Sequence, residues 1–288
     1  MGIANIIPGV SGGTIALITE IYEEMLCSLK SFDIKALKLL ISFDFREFIK
    51  YTNLYFLLAV FTGSIASVFS IANLFKFLFA NYPILIWAFF FGLILASVYS
   101  VGKRVKKWSS PSIITLIIGA IMAISLLFIP PATENSNLFF IFICGIIGIS
   151  GMILPGLSGS FILILLGNYE LLMVTALAEL NYLLLSVFLL GGVFGILIFS
   201  YAIAWILKRY HDNTLALLTG FILGSLKIIW PWKEITKSMI IAGEEKILEY
   251  HLYFPNIAEQ NTLIAFALII SGIVLVLALE SFSSKETA

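Results

Sequence analysis

The sequence predicts an all-α polytopic membrane protein. It is built from two inverted-topology repeats, each with a re-entrant helix hairpin plus about three transmembrane helices. Three observations lead there. The 288-residue chain is 60% hydrophobic and only 12% charged, whereas soluble domains carry about 25% charged residues; so little charge leaves lipid as the solvent. Apolar runs long enough to cross a bilayer recur along the chain. One turn rich in glycine and hydroxyls occurs twice, each time at the head of an apolar helix.

The apolar runs place spans at 54–78, 83–102, 112–129, 181–207, 214–230 and 261–281, each near the ~20 residues that hydrocarbon thickness demands. Between Phe32 and Lys50, Ile34, Leu37, Ile41, Phe45 and Phe48 form an apolar face interrupted by Lys35, Lys38, Arg46 and Lys50. That pattern predicts an interfacial amphipathic helix rather than a span. Basic connections set the orientation. Lys103, Arg104, Lys106 and Lys107 put the 103–111 loop in the cytoplasm, and Lys208 and Arg209 agree. The 130–137 loop, PPATENSN, has no Lys or Arg and falls outside. The 231–261 connection also falls outside although it carries Lys233, Lys237 and Lys246, alongside Glu234, Glu244, Glu245, Glu249 and Glu259.

The repeated turn is IIPGVSGGTIALITEIYEEML, from Ile6, and ILPGLSGSFILILLGNYELLM, from Ile153. Pro8, Gly9, Ser11, Gly12, Tyr22 and Glu23 match Pro155, Gly156, Ser158, Gly159, Tyr169 and Glu170, all 147 positions apart. Three spans separate the copies, and an odd number inverts the second. The match continues at an offset of 128, pairing Asn53 with Asn181, Gly63 with Gly191, Tyr82 with Tyr210, Gly92 with Gly220 and Ser97 with Ser225. The amphipathic segment inserted in the first half accounts for the change of offset. The first repeat is read as 1–129 and the second as 138–281. An apolar segment, Leu138 to Ile149, precedes the second motif. The first has no such leader, which predicts that the chain lacks the start of its first repeat.

Physical chemistry gives the turn a task. Non-helical backbone survives inside a bilayer only where protein or water satisfies its N–H and C=O groups. Gly9, Gly12 and Gly13 permit such backbone, and Pro8 and Pro155 end any preceding helix. Ser11, Thr14, Ser158 and Ser160 can cap the helix that follows. Each turn then presents amides and a positive helix end to an anion, with phosphate the evident guest. Two such ends entering from opposite faces would meet near the midplane, in the manner of inverted-repeat transporters. The competing reading is a packing kink, since Gly and Ser also let membrane helices approach closely.

Glu20, Glu23, Glu24 and Glu170 fall near the far ends of the motif helices. Glu23 and Glu170 both follow a Tyr. Their shared place admits a proton-coupling carboxylate or an anchor for the helix end, and simple interfacial charge is the alternative. Cys27 and Cys144 lack metal or redox spacing and read as hydrophobic filler. His211 and His251 lie in different connections, so no metal site is expected. Net charge is zero, and no basic stripe points to nucleic acid.

The stretches GIANIIPGVSGGT (Gly2 to Thr14) with IYE (Ile21 to Glu23), and MILPGLSGSFILILLGNYE (Met152 to Glu170), resemble the paired motifs of a bacterial and archaeal membrane family, the polyprenyl-phosphate transporters of the PopT type. The resemblance covers nearly the whole chain. It implies a flippase in the cell membrane that moves undecaprenyl phosphate, the carrier lipid of cell-wall polymers, from the outer to the cytoplasmic leaflet for reuse. The motif positions carried over are Asn5, Pro8, Gly9, Ser11, Gly12, Gly13, Thr14, Tyr22 and Glu23, then Pro155, Gly156, Ser158, Gly159, Ser160, Tyr169 and Glu170. Of these, Asn5, Pro8, Gly9, Ser11, Gly12, Gly13, Thr14, Pro155, Gly156, Ser158, Gly159 and Ser160 would bind the headgroup, while Tyr22, Glu23, Tyr169 and Glu170 would couple or anchor. Glu20 departs from the pattern, standing where the second copy has Gly167. No cofactor, metal or catalytic residue is expected, and homo-oligomerisation is left open. The alternatives are a small-anion channel or carrier and, less favoured, an intramembrane lipid phosphatase, for which no Ser/His/Asp or metal-ligand set is visible.

Overall fold

In the computed structural model the described residues are 1–2, 11–176, 179–241, 244–256 and 260–286. Two short helices open the described chain: α1 (Gly12–Ile18) and α2 (Tyr22–Lys30). The amphipathic segment is not one helix but two, α3 (Ile34–Ile41) and α4 (Phe45–Tyr51), each capped by an aspartate. Asp33 Oδ1 accepts from the Lys35 and Ala36 amides, and Asp44 Oδ1 accepts from Glu47. Between them Phe43 takes φ 56°, a left-handed turn that stops α3.

Then come the long helices α5 (Leu54–Asn81), α6 (Pro83–Gly102) and α7 (Ser110–Ser125). The second half holds α8 (Leu138–Gly151), α9 (Gly159–Leu165), a single π turn over Leu171–Thr175, α10 (Tyr182–Arg209) and α11 (His211–Ser225). A β-hairpin follows, and α12 (Gln260–Glu286) closes the chain. In the hairpin β1 (Lys233–Ile241) runs antiparallel to β2 (Glu244–Leu252), pairing Lys233 with Leu252 and Ile241 with Glu244.

Among the described residues, four helices are long and apolar enough to cross a bilayer: 83–102, 110–128, 182–209 and 261–281. A fifth crossing is reached if Phe45–Tyr51 and Leu54–Ser67, bent by 66°, are taken together. Residues 211–225 form a helix of only 15 residues, shorter than the span expected at 214–230 and short of the ~20 a full crossing requires. The chain is a helical, multi-pass membrane protein.

Several helices that the sequence match pairs are alike in length and ends. The helices α5 and α10 both have 28 residues and both begin after an asparagine, Asn53 or Asn181. Both end on a tyrosine of nearly the same backbone geometry: Tyr82 at φ −135°, ψ 49° and Tyr210 at φ −131°, ψ 52°. Pro83 explains the first of these stops, because proline favours the first turn of the helix it opens. The motif helices α1 and α9 both have 7 residues. Packing crosses between halves: α6 lies along α12 and α7 along α11. The approach is close enough that a Cβ on Gly92 would overlap the Ile269 carbonyl, and one on Gly220 would overlap that of Leu116. Small residues let backbones touch in this way where lipid gives no hydrophobic drive.

Candidate functional site

Each motif helix starts at a serine in extended conformation, Ser11 and Ser158. At the first, Ser11 Oγ accepts from the Gly13 amide at 3.1 Å, an N-cap. The same hydroxyl donates to the Met152 carbonyl at 3.0 Å. One turn on, Thr14 Oγ1 accepts from the Gly156 amide at 3.2 Å. The two motif loops are therefore in direct contact, joined by hydroxyl-to-backbone bonds. Ser11, Thr14 and Ser158 are all buried.

Two glycines make the contact feasible. A Cβ on Gly13 would overlap the Ile153 carbonyl. Gly156 sits at φ 81° and against the Phe221 backbone, so both its conformation and its surroundings exclude a side chain.

The second motif is built differently at its tip. Ser158 makes no cap bond to α9; its Oγ lies 2.7 Å from that of Ser160. The opening amides of a helix have no partner within it. At α9 these belong to Gly159, Ser160 and Phe161, and the hydroxyl pair stands beside them.

The far ends of the two motif helices are pinned near opposite ends of α7. At the first, Glu20 takes φ 65°, and Arg104 Nη2 donates to the Ile18 carbonyl at 3.1 Å and to Glu20 Oε1 at 3.0 Å. A guanidinium at a helix C-terminus satisfies a leftover carbonyl and opposes the negative end of the dipole. At the second, Gly167 takes φ 74°, and the Ala132 amide donates to the Leu165 carbonyl at 2.9 Å. The buried Asn168 accepts from the Asn135 amide at 2.9 Å and donates to the Asn135 carbonyl at 2.7 Å. Arg104 precedes α7 and Asn135 follows it. The 16 residues of α7 put roughly 24 Å between its ends. The motif helices thus come in from opposite ends of α7 and meet at their N-termini between them.

The structure brings Ser11, Gly13 and Thr14 against the backbone of Met152 to Gly156, Pro155 included; Ser158, Gly159 and Ser160 follow next in the chain and Gly12 lies between Ser11 and Gly13. Asn5, Pro8 and Gly9 lie outside the described residues. The Tyr–Glu pairs do not share a setting. Tyr22 is fully buried with no described partner for its hydroxyl, while Tyr169 is partly exposed and packs on the Leu163–Leu172–Phe188 cluster. Glu23 Oε1 lies 3.7 Å from His211 Nε2, and Glu24 accepts from Asn53 Nδ2 at 2.8 Å. Glu170 is half-buried beside the second turn. Cys27 is exposed and Cys144 buried, both free. Among the described residues no cluster of His, Cys, Asp and Glu could hold a metal ion.

Two participants escaped the sequence reading. Asn168, which ties down the second turn, corresponds at the motif offset to Ile21 and so drew no notice in the comparison of copies. Ser150 sits in the apolar run GIIGISGM (145–152). It is buried, and its Oγ bonds to no described group.

Long apolar helices around two short ones that meet, loop to loop, define a multi-pass membrane protein of the transport class. The chain belongs to the undecaprenyl phosphate translocase-like family, whose model matches residues 1–247. It is similar to the polyprenyl-phosphate transporter of Vibrio cholerae, with 38% identity over 292 aligned positions covering 99% of this chain and 94% of that one. It is also similar to the polyprenyl-phosphate transporter of Staphylococcus aureus, with 29% identity over 248 positions, 80% of this chain and 83% of that one. These are names of transporters, not of enzymes. No solved structure matches.

Proposed function

We propose that this protein carries polyprenyl phosphate, of the undecaprenyl kind, from the outer to the cytoplasmic leaflet, holding the phosphate where the two motif loops meet. The contact between the two motif loops, whose helices are anchored near opposite ends of α7, is the observation that carries the reading. A phosphate headgroup cannot cross ~30 Å of hydrocarbon alone, because burying an unpaired ion costs many kcal/mol. It needs donors at mid-depth. The junction supplies hydroxyls and backbone amides in a buried setting, and among the described motif residues the carboxylates of Glu23 and Glu170 stand away at the far turns. The isoprenoid tail needs no polar path and stays in apolar surroundings.

The two-fold character of the chain supports the transport step. Exchanging the halves 1–129 and 138–281 turns the α6–α12 pair into the α11–α7 pair. Each half thus packs on the other through equivalent helices, the frame for rocking one repeat against the other. Alternating access then exposes one shared site to each leaflet in turn.

The test is a liposome assay with a labelled polyprenyl phosphate, run with and without a pH gradient. Wild-type protein is expected to move the lipid, and the double variant Ser11→Ala, Ser158→Ala to lose most of that rate. Wild-type transport in the double variant would refute the assignment of the hydroxyls. Flux of a soluble anion without lipid movement would replace the reading with an anion carrier.

A further inference from the structure

Beside the second motif lies an apolar cleft of about 630 Å³, walled by α7, α8, α9 and α10. It falls in the range of pockets that enclose organic ligands. Its outer rim is formed by Met122, Ile147 and Ile198, all exposed on the lipid-facing surface. Its inner end is Leu154 and Leu157, the residues flanking Pro155 and Gly156 and leading into Ser158. The cleft therefore runs from lipid to the place where the motif loops meet. Leu165 and Leu166 line it as well, immediately before the turn at Gly167, which sets it in the half of the molecule nearer the 130–137 face.

Among the described residues two hydroxyls interrupt the apolar lining, those of Ser125 and Ser150. Ser150 is the informative one. It is buried, and its Oγ bonds to no described residue. A buried donor without a partner is destabilising. Retaining one inside an apolar cleft is explained if an occupant brings an acceptor.

We propose that this cleft seats the first isoprene units of the polyprenyl phosphate, entering from the outer leaflet, and that Ser150 donates to a phosphate oxygen of the same molecule. This rests on the transport reading and adds the tail's position to it. The cleft's shape and chemistry match an occupant with a branched hydrocarbon chain and one anionic end. A soluble anion would find no use for the apolar walls. A diacyl lipid would have to bring two chains into one cleft.

The experiment uses the full chain in liposomes with a polyprenyl phosphate carrying a diazirine near its phosphate end. Labelling is expected on peptides containing Ile147–Leu157 and Ile198–Ala202, reduced by excess unlabelled polyprenyl phosphate and unaffected by phosphatidylglycerol. Ile198→Trp, a change on the exposed rim that leaves the packed interior alone, is expected to slow translocation of the long-chain lipid about tenfold. A C10 prenyl phosphate competing at the headgroup site should be affected less than the long chain. Ser150→Ala is expected to weaken binding of both lipids alike. If phosphatidylglycerol competes equally, the cleft is a general lipid site and the proposal falls. It falls equally if wild type translocates the lipid while Ile198→Trp is unaffected and the label lands elsewhere. If wild type moves no polyprenyl phosphate at all, it is the transport reading that has failed.

Discussion

The two copies of the motif share a sequence but not a finish. At the first, Ser11 spends its hydroxyl on its own helix and on Met152, and Thr14 spends its own on Gly156. At the second, Ser158 leaves α9 uncapped and faces Ser160. One copy is a clamp that holds the loops together. The other leaves the opening amides of α9 without a partner inside the helix. In the proposed reading near-identical residues serve structure on one side and ligand chemistry on the other, and substitutions should separate the two roles.

The largest effect is expected at the clamp's glycines. Gly156→Leu would place a side chain at φ 81° and into the Phe221 backbone, and Gly13→Leu would collide with Ile153. Each should cost about 3 kcal/mol or more and abolish transport, visible as loss of the folded peak in detergent thermal unfolding. If either variant kept wild-type stability, the loops would not be in contact as described. Next comes the division of labour. Ser158→Ala with Ser160→Ala should reduce headgroup affinity by about tenfold or more, charge-assisted hydrogen bonds being worth ~1.5–3 kcal/mol, with little change in melting temperature. Ser11→Ala should do the reverse, lowering stability by ~1 kcal/mol through loss of the cap and affinity only slightly. Equal effects on both observables at both sites would erase the distinction.

A smaller effect sharpens the comparison of the far turns. Glu20 and Gly167 occupy equivalent left-handed positions, where a side chain costs roughly 1–2 kcal/mol. Glu20→Gly removes that cost and loses only a partly exposed pair with Arg104, worth at most ~1 kcal/mol. Thermal stability should stay level or rise slightly, whereas Gly167→Glu should lower it by several degrees.

The smallest effect concerns pH. The Asp212 carboxylate is held below its usual range, chiefly by a hydrogen bond from His211, then by the amides of Lys106 and Lys107. A depressed folded-state value means the bonds are in place above the ordinary carboxylate range and are lost as pH falls through the lowered one. Hydrogen exchange at the Lys106 and Lys107 amides should therefore quicken, beyond its intrinsic trend, only in acid below the ordinary carboxylate range. An unchanged protection pattern down to that range would show that Asp212 does not hold this loop.

Much of the architecture was legible because it rests on strong, long signals. The 28-residue helices follow from apolar runs bounded by Asn53–Tyr82 and Asn181–Tyr210, and the meeting of the motif loops from an odd number of intervening spans. Glu20 stood out by departing from Gly167, and both adopt the left-handed turn. Other features depend on distant partners and leave no local trace. Arg104 looked like a topology marker and proves to cap α1. Asn168 and Ser150 acquire meaning only from Asn135 and from the cleft. The shortness of α11 could not be seen either, because residues 226–230 continue the apolar pattern after the helix has ended.

The central claim is that the phosphate rests on backbone amides and hydroxyls of the second motif at its contact with the first. The direct measurement is 31P–15N dipolar recoupling by solid-state NMR, with polyprenyl phosphate bound to protein in bilayers and 15N in the backbone of Gly and Ser residues. The account predicts that the headgroup phosphorus dephases the amide signals of Gly159 and Ser160. Dephasing confined to side-chain nitrogens of the basic loop, with Arg104, Lys106 and Lys107 labelled instead, and none at those amides, would contradict it.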